Sequence, residues 1–108
     1  MQYPGITKKD WKLFQEKVPE WQERHMEKLV EKYIRYLKSD RPASEKIWGL
    51  EEKLKTDKRS PGVRLCLEKQ EMDMDLALLL KKKIIDVSDL EDFSPELVEY
   101  ILERWNLG

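Results

Sequence analysis

The sequence has little of what most catalytic and metal sites are built from. Its 108 residues include one histidine, His25, and one cysteine, Cys66. A single cysteine excludes an internal disulfide, and His25 has no glutamate three residues before it, as helical di-iron sites require. We therefore expect no enzyme activity and no cofactor. Cys66 has no histidine close by in the sequence, so we expect it to be a buried, inert thiol.

Long hydrophobic runs are also missing. The longest, from Leu76 to Leu80, is followed by three lysines, whereas a membrane span needs roughly 18 apolar residues. No apolar stretch near the N-terminus resembles a signal peptide. These absences predict a cytoplasmic protein with no membrane partner.

Two groups of acidic residues invite a metal interpretation, but neither has the required spacing. They are Glu71, Asp73 and Asp75, and Asp86, Asp89 and Asp92. The first group alternates along a predicted helix, where alternate residues do not share a face. The second lacks the glycine and terminal glutamate of a calcium loop. We interpret the first group as solvated and the second as charges favoured at helix N-termini, and we predict no metal site.

Apolar residues recur at helical spacing, and no alternating run favours a sheet. With 108 residues, the chain predicts a single all-α domain over residues 1–108. We expect a compact bundle of about five helices with a short turn near Asp89. The predicted helices are Thr7 to Val18, Glu20 to Lys38, Ala43 to Lys55, Pro61 to Lys83 and Pro95 to Trp105.

The segment from Pro61 to Lys83 is predicted to be the central helix of this bundle. Ser60 is a plausible N-cap, Pro61 suits the first helical position, and the lysine run suits the C-terminus. Because this helix has two apolar faces, it needs neighbours on both. The predicted core comprises Trp11, Phe14, Leu29, Tyr33, Leu37, Ile47, Leu50, Leu54, Leu67, Met74, Leu78, Ile101 and Leu102.

Charge is distributed unevenly, although the net charge is only −1. Residues 84–108 contain seven acids and one base, a net of −6, so the other 83 residues total +5. A last helix rich in glutamate would repel phosphates, which makes nucleic acid an unlikely partner. The basic residues Lys58, Arg59 and Arg64 flank the predicted start of the central helix and are candidates for contact with an anion or a nucleic acid.

The four tryptophans exceed what a core of this size usually requires. Tryptophan, tyrosine and arginine dominate the energetics of protein interfaces. Candidate partner-binding anchors are Trp21, Tyr36, Trp48 and Trp105. The leading hypothesis is a non-enzymatic protein-binding module that regulates or inhibits a larger assembly. The alternatives are a nucleic-acid-associated regulator using the basic segment 53–64, and a homodimer formed through the helix from Glu20 to Lys38.

Three stretches carry a resemblance to known sequences: TKKDWKLFQEKVPEWQERHMEKL, SEKIWGLEEKLKTDKRSPGV and DLEDFSPELVEYI. Together they resemble a group of small uncharacterised helical proteins encoded in Firmicutes genomes, some of which carry a "multidrug transporter" label. The sequence contains no membrane span that would support that label. The resemblance implies a bacterial, cytoplasmic protein and no active site.

Overall fold

A computed structural model describes residues 5–107 of the chain. Over these residues it contains four α-helices and no strand, which confirms the all-α prediction. The helices are α1 (Lys8–Leu37), α2 (Ala43–Asp57), α3 (Met72–Lys81) and α4 (Pro95–Arg104), with short 3₁₀ turns at Lys69–Glu71 and Val87–Leu90. The predicted count of about five helices is therefore one too high.

The chain divides into two compact units, which we describe separately. The acidic unit comprises the residues up to Trp21 and those from Cys66 onward, and the hairpin unit comprises Gln22 to Leu65. The acidic unit carries 9 basic and 14 acidic side chains, a net of −5, whereas the hairpin unit carries 12 and 8, a net of +4. The single domain predicted from the sequence stays a prediction.

Helix α1 continues through Pro19, so the prediction that this proline separates two helices is wrong. Phe14, Val18 and Trp21 are buried at spacings of four and three residues, which places them on one face of the helix. Proline removes one backbone hydrogen bond inside a helix. Burial of apolar side chains on both sides of the exposed Pro19 offsets that loss.

The core of the acidic unit is built mainly from α3, α4 and the residues between them. Its fully buried side chains include Phe14, Met72, Leu76, Leu79, Leu90, Leu97 and Ile101. Trp21 packs its ring against Phe93 at 6.2 Å between centroids. Trp21 is thus a buried core residue and not an exposed anchor.

Asp10 joins the start of α1 to the start of α4 within this unit. Its carboxylate accepts hydrogen bonds from the Ser94 backbone N–H at 3.0 Å and from the Ser94 hydroxyl at 2.5 Å. The Asp10 N–H donates to the Thr7 hydroxyl at 3.0 Å, so Thr7 caps the N-terminus of α1. Ser94 makes no side-chain cap for α4; its hydroxyl is bound to Asp10 instead.

The predicted central helix is the largest error in the sequence interpretation. Only residues 72–81 form α3, while residues 60–63 form a turn and residues 64–68 have no regular structure. In the turn, Pro61 and Gly62 are buried, and the Gln22 amide donates to the Pro61 carbonyl at 3.0 Å. A Cβ atom on Gly62 would lie 2.3 Å from His25. These contacts hold Pro61 and Gly62 in a turn, although their sequence pattern favours a helix start.

The helix does end at the predicted lysine run. The N–H of Ile84 donates to the Leu79 carbonyl at 3.0 Å, and Lys83 takes a left-handed conformation with φ of 59°. This geometry closes many helices and usually employs glycine.

Several residues predicted to be buried are exposed. Those outside the predicted central helix lack the cover that this helix was to provide, whereas Met74 and Leu78, four residues apart, share an exposed side of α3. The exposed members of the predicted core are Leu37, Ile47, Leu54, Met74 and Leu78. Cys66 is exposed as well, so the prediction of a buried thiol is wrong. Conversely, Asp75 is buried, which contradicts its interpretation as a solvated side chain.

Candidate protein-binding surface

Helix α1 beyond Trp21 and helix α2 run antiparallel in the hairpin unit and meet through two tyrosines. The Tyr33 hydroxyl donates to the Asp57 carboxylate, and the Tyr36 hydroxyl donates to the Glu45 carbonyl at 2.8 Å. Gly49 permits this approach, since a Cβ atom there would lie 1.8 Å from the Tyr36 oxygen. Polar and aromatic contacts, and few buried apolar ones, therefore join the two helices.

Tyr36 is one of the four predicted anchors, and its ring is already covered on this side of the hairpin. The Lys53 ammonium lies 4.7 Å from the ring centroid and the Arg41 guanidinium lies 5.1 Å from it. Such cation–π contacts stabilise exposed sites by about 0.5 to 1 kcal/mol. We conclude that Tyr36 serves the hairpin itself.

An open groove of about 450 Å³ runs along the same side of the hairpin. It is lined by Leu29, Lys32, Tyr33, Tyr36, Glu52, Lys53, Thr56 and Asp57. Burial, and then the hydrogen bond and charge of Asp57, raise the pKa of Tyr33 to about 12. The phenol therefore keeps its proton at neutral pH. His25, the one histidine, has its pKa lowered chiefly by burial.

The other side of the hairpin is apolar. Val30, Ile34 and Leu37 follow one another on α1 at spacings of four and three residues, and Ile47, Leu50 and Leu54 do so on α2 at three and four. Each set forms a stripe along one face of its helix. Leu50 is half-buried, and the other five side chains are between 39% and 65% exposed.

Both stripes lie on the same side of the hairpin. Ile34 follows Tyr33 and Leu37 follows Tyr36 on α1, while Leu50 follows Gly49 on α2. Each step turns a right-handed helix by about 100° away from the contact between the helices. Because the helices are antiparallel, the same sense of rotation leads to the same side. We call the surface formed by these six residues the apolar face.

Charged side chains border the apolar face in a graded order along α1. Glu27 and Glu31 lie beside its Val30 end, and Lys38 follows its Leu37 end. All three side chains are exposed. The edge of the apolar face therefore changes from acidic to basic along the direction of α1.

The tryptophans have different environments. Trp48 is 67% exposed on α2, whereas Trp21 is buried. Trp105 is half-buried, with Tyr100 in an edge-to-face contact at 6.2 Å and the Arg104 guanidinium 5.2 Å from its ring. Trp48 lies on the α2 surface away from the apolar face, about 100° back from Gly49. Of the predicted anchors, only Trp48 has a largely exposed side chain.

The basic residues Lys58, Arg59 and Arg64 are exposed, but no helix begins among them. Their backbone N–H groups donate to carbonyls of residues 54, 56 and 60, and Gly62 donates to the Ser60 hydroxyl. The free N–H groups that the predicted helix start would have offered to an anion are therefore engaged within the chain. Contact with an anion stays a prediction that rests on these three side chains alone.

Asp75 is the one buried carboxylate of the acidic group on α3. Its Oδ2 atom has no hydrogen-bond partner. Burial, and then the charges of Glu71, Asp73 and Glu68, raise its pKa to about 6. Among residues 5–107, no three histidine, cysteine or acidic side chains converge to hold a metal ion.

Within the described part of the chain, no helix has the length and apolar character to cross a membrane. No family model, curated protein or solved structure matches the sequence.

The helical spacing of apolar residues in the sequence identifies the apolar face, but the prediction places three of its exposed residues in the core. The spacing of Val30, Ile34 and Leu37 matches a helix face that packs against something. We assigned Leu37, Ile47 and Leu54 to the core because a long central helix was expected to cover them. Without that helix, the same pattern marks an exposed surface.

Proposed function

We propose that the protein is a non-enzymatic protein-binding module of the bacterial cytoplasm, which regulates or inhibits a larger assembly by docking through the apolar face. The observation that supports this proposal is the exposure of five large aliphatic side chains on one side of a two-helix hairpin. Contiguous apolar patches of this kind are uncommon on monomers and frequently mark interaction sites.

The hairpin also has the form that helix-based recognition uses. Apolar residues at helical spacing act as anchors that enter a partner's surface. Ile47 and Val30, at 65% and 53% exposed, offer the largest exposed fractions on their respective helices within the face. The half-buried Leu50 lies beside them and joins the two stripes.

Capture experiments with paired variants test the proposal. The immobilised wild-type protein is compared with the double variant Ile34→Glu/Ile47→Glu, which places two charges on the apolar face. The matched control is Arg35→Glu/Lys55→Glu, which changes two exposed charges outside it. We expect the wild type and the control to retain the same protein from bacterial lysate at a stoichiometric level, and the face variant to lose it.

Circular dichroism of each variant confirms that the helices are intact before capture is compared. Equal retention by all three proteins would place the binding elsewhere and contradict the proposal. Absence of any stoichiometric protein on the wild type would contradict it too.

Nucleic-acid-associated regulation through the basic segment 53–64 is the second candidate. The net charge of +4 on the hairpin unit supports it. Lys53 is already held over the ring of Tyr36, which reduces the number of cations that remain for phosphates. Titration of a fluorescent duplex at low and at physiological salt tests it. Binding that does not weaken as salt rises would count against it.

A further inference from the structure

We propose that the first occupant of the apolar face is a second copy of this chain, paired face to face with its α1 helix antiparallel to the first. This inference rests on the proposed function, because it names the chain that the apolar face binds. The argument depends on the apolar stripe of α1 and on the charges along its edge.

The stripe on α1 can pair with its own copy in the antiparallel direction. Val30 and Leu37 lie at its two ends, with Ile34 between them. In a two-fold pairing, if one residue of the first copy contacts a second residue of the other copy, the reverse contact is made as well. The surface must therefore complement itself. Antiparallel alignment brings the Val30 end of one copy to the Leu37 end of the other.

The charges at the edge select this direction over the parallel one. Antiparallel alignment centred on Ile34 places Glu31 of each copy near Lys38 of the other, because these two residues lie three and four positions from Ile34 on opposite sides. Parallel alignment would set glutamates beside glutamates and cations beside cations, which is unfavourable. The acidic-to-basic gradient along the apolar face is therefore complementary to itself when reversed.

The same gradient argues against two other kinds of occupant. A membrane surface attracts helices whose apolar face is bordered by lysine and arginine, whereas the acidic Glu27 and Glu31 border one end of this face. A uniformly acidic or uniformly basic partner would be repelled at one end. A second copy satisfies both ends at once.

Two variants with opposite charge reversals test the proposal. Recovery of the dimer when the two are mixed is expected only if the chain pairs with its own copy. One variant reverses the acidic end, Glu31→Lys, and the other reverses the basic end, Lys38→Glu. Sedimentation velocity is measured on each purified protein from micromolar to millimolar concentration, at low salt. We expect the wild type to dimerise and each variant alone to dimerise about tenfold more weakly, because each variant meets its own copy with like charges.

Mixing the two variants is the decisive step, since an equimolar mixture should form a heterodimer at least as readily as the wild type forms its dimer. The double variant Glu31→Lys/Lys38→Glu, with both ends reversed, should also recover the dimer. Ile34→Glu should abolish it, and Arg35→Glu is the control that should leave it intact. Thermal unfolding of each variant, followed by circular dichroism, shows whether its helices remain folded.

A wild-type protein that stays monomeric at millimolar concentration would overturn the second-copy proposal, and so would variants that fail to recover on mixing. The proposed function has a separate outcome. If the protein is monomeric but capture from lysate still depends on Ile34 and Ile47, the apolar face binds another protein and only the second-copy proposal fails. If neither dimer nor capture is found, both fail.

Discussion

The two units of this protein use their apolar residues in opposite ways. Among residues 5–107, the acidic unit contributes 13 of the 14 buried hydrophobic side chains, and the hairpin unit contributes only Leu29. Over the same residues, the hairpin unit supplies six of the nine large hydrophobic residues that are exposed. Helix α2 buries none of its residues. The comparison separates stability from recognition: one unit has its own core, whereas the other keeps its apolar surface available for a partner.

Truncation of one large side chain in each unit should give the largest difference in the free energy of unfolding between the two units. Phe14→Ala removes a fully buried ring and should lower the free energy of unfolding by about 3 to 5 kcal/mol. Ile47→Ala removes a side chain that is 65% exposed and should change it by about 0.5 kcal/mol or less. Urea unfolding at low micromolar protein measures both. Equal losses of unfolding free energy in the two variants would contradict the separation of a stable core in the acidic unit from an exposed binding surface in the hairpin unit.

The second prediction concerns the polar contact inside the acidic unit. Asp10→Ala leaves the Ser94 N–H and hydroxyl without their acceptor, which should cost about 2 kcal/mol of unfolding free energy. Asp10→Asn keeps one acceptor oxygen and should lose less. The same urea titration measures both variants. An alanine variant as stable as the wild type would show that the contact between Asp10 and Ser94 contributes little.

Asp75 should weaken the acidic unit at neutral pH, because its carboxylate is buried without a partner for Oδ2. Asp75→Asn removes the charge and should raise the unfolding free energy at pH 7 by about 1 kcal/mol. The half-buried Asp73 provides the control, since Asp73→Asn should change stability less.

The pH dependence of the Asp75→Asn effect has a defined sign. The pKa of Asp75 is raised to about 6 from 3.8, so the folded protein binds more protons than the unfolded chain between these values. The unfavourable contribution of the carboxylate is therefore present in full above pH 6 and disappears as the pH falls toward 4. Thermal melts of wild type and Asp75→Asn should converge over that interval. A difference in melting temperature between the two proteins that stays constant over this interval would refute the raised pKa of Asp75.

The smallest expected change in stability follows from altering the contact between the two hairpin helices at Gly49. Glycine to alanine inside an exposed helix normally stabilises it by about 1 kcal/mol. At Gly49 the added methyl would meet the Tyr36 ring and oxygen, and that overlap should outweigh the gain and leave a net loss of about 0.5 kcal/mol. In a Tyr36→Ala background the sign should reverse. Thermal unfolding, followed by circular dichroism, measures both; stabilisation by Gly49→Ala in the wild-type background would contradict the contact.

Local signals predicted much of the fold. Spacing and turn residues placed α2, α4 and the end of α3 within a few residues of their observed bounds. The two main errors arose where contacts distant in sequence overrode local preference. Pro19 stays inside α1 because Val18 and Trp21 are buried around it, and Pro61 and Gly62 form a turn because Gln22 and His25 contact them.

The candidate site was predictable only in part. Helical periodicity identified the residues of the apolar face, but their exposure depends on which other segments cover them, and periodicity alone does not state this. Trp48 stood out by residue type and is exposed, whereas Trp21 stood out equally and is buried. Side-chain chemistry alone could not separate these two tryptophans.

The hydrogen bonds between Asp10 and Ser94 join residues 84 positions apart. During synthesis on the ribosome, Asp10 is added roughly 4 to 17 seconds before Ser94 at ordinary elongation rates. The hairpin unit lies wholly within that interval of sequence, so it is synthesised before Ser94. Nascent chains on one polyribosome therefore carry all six residues of the apolar face before the acidic unit is complete.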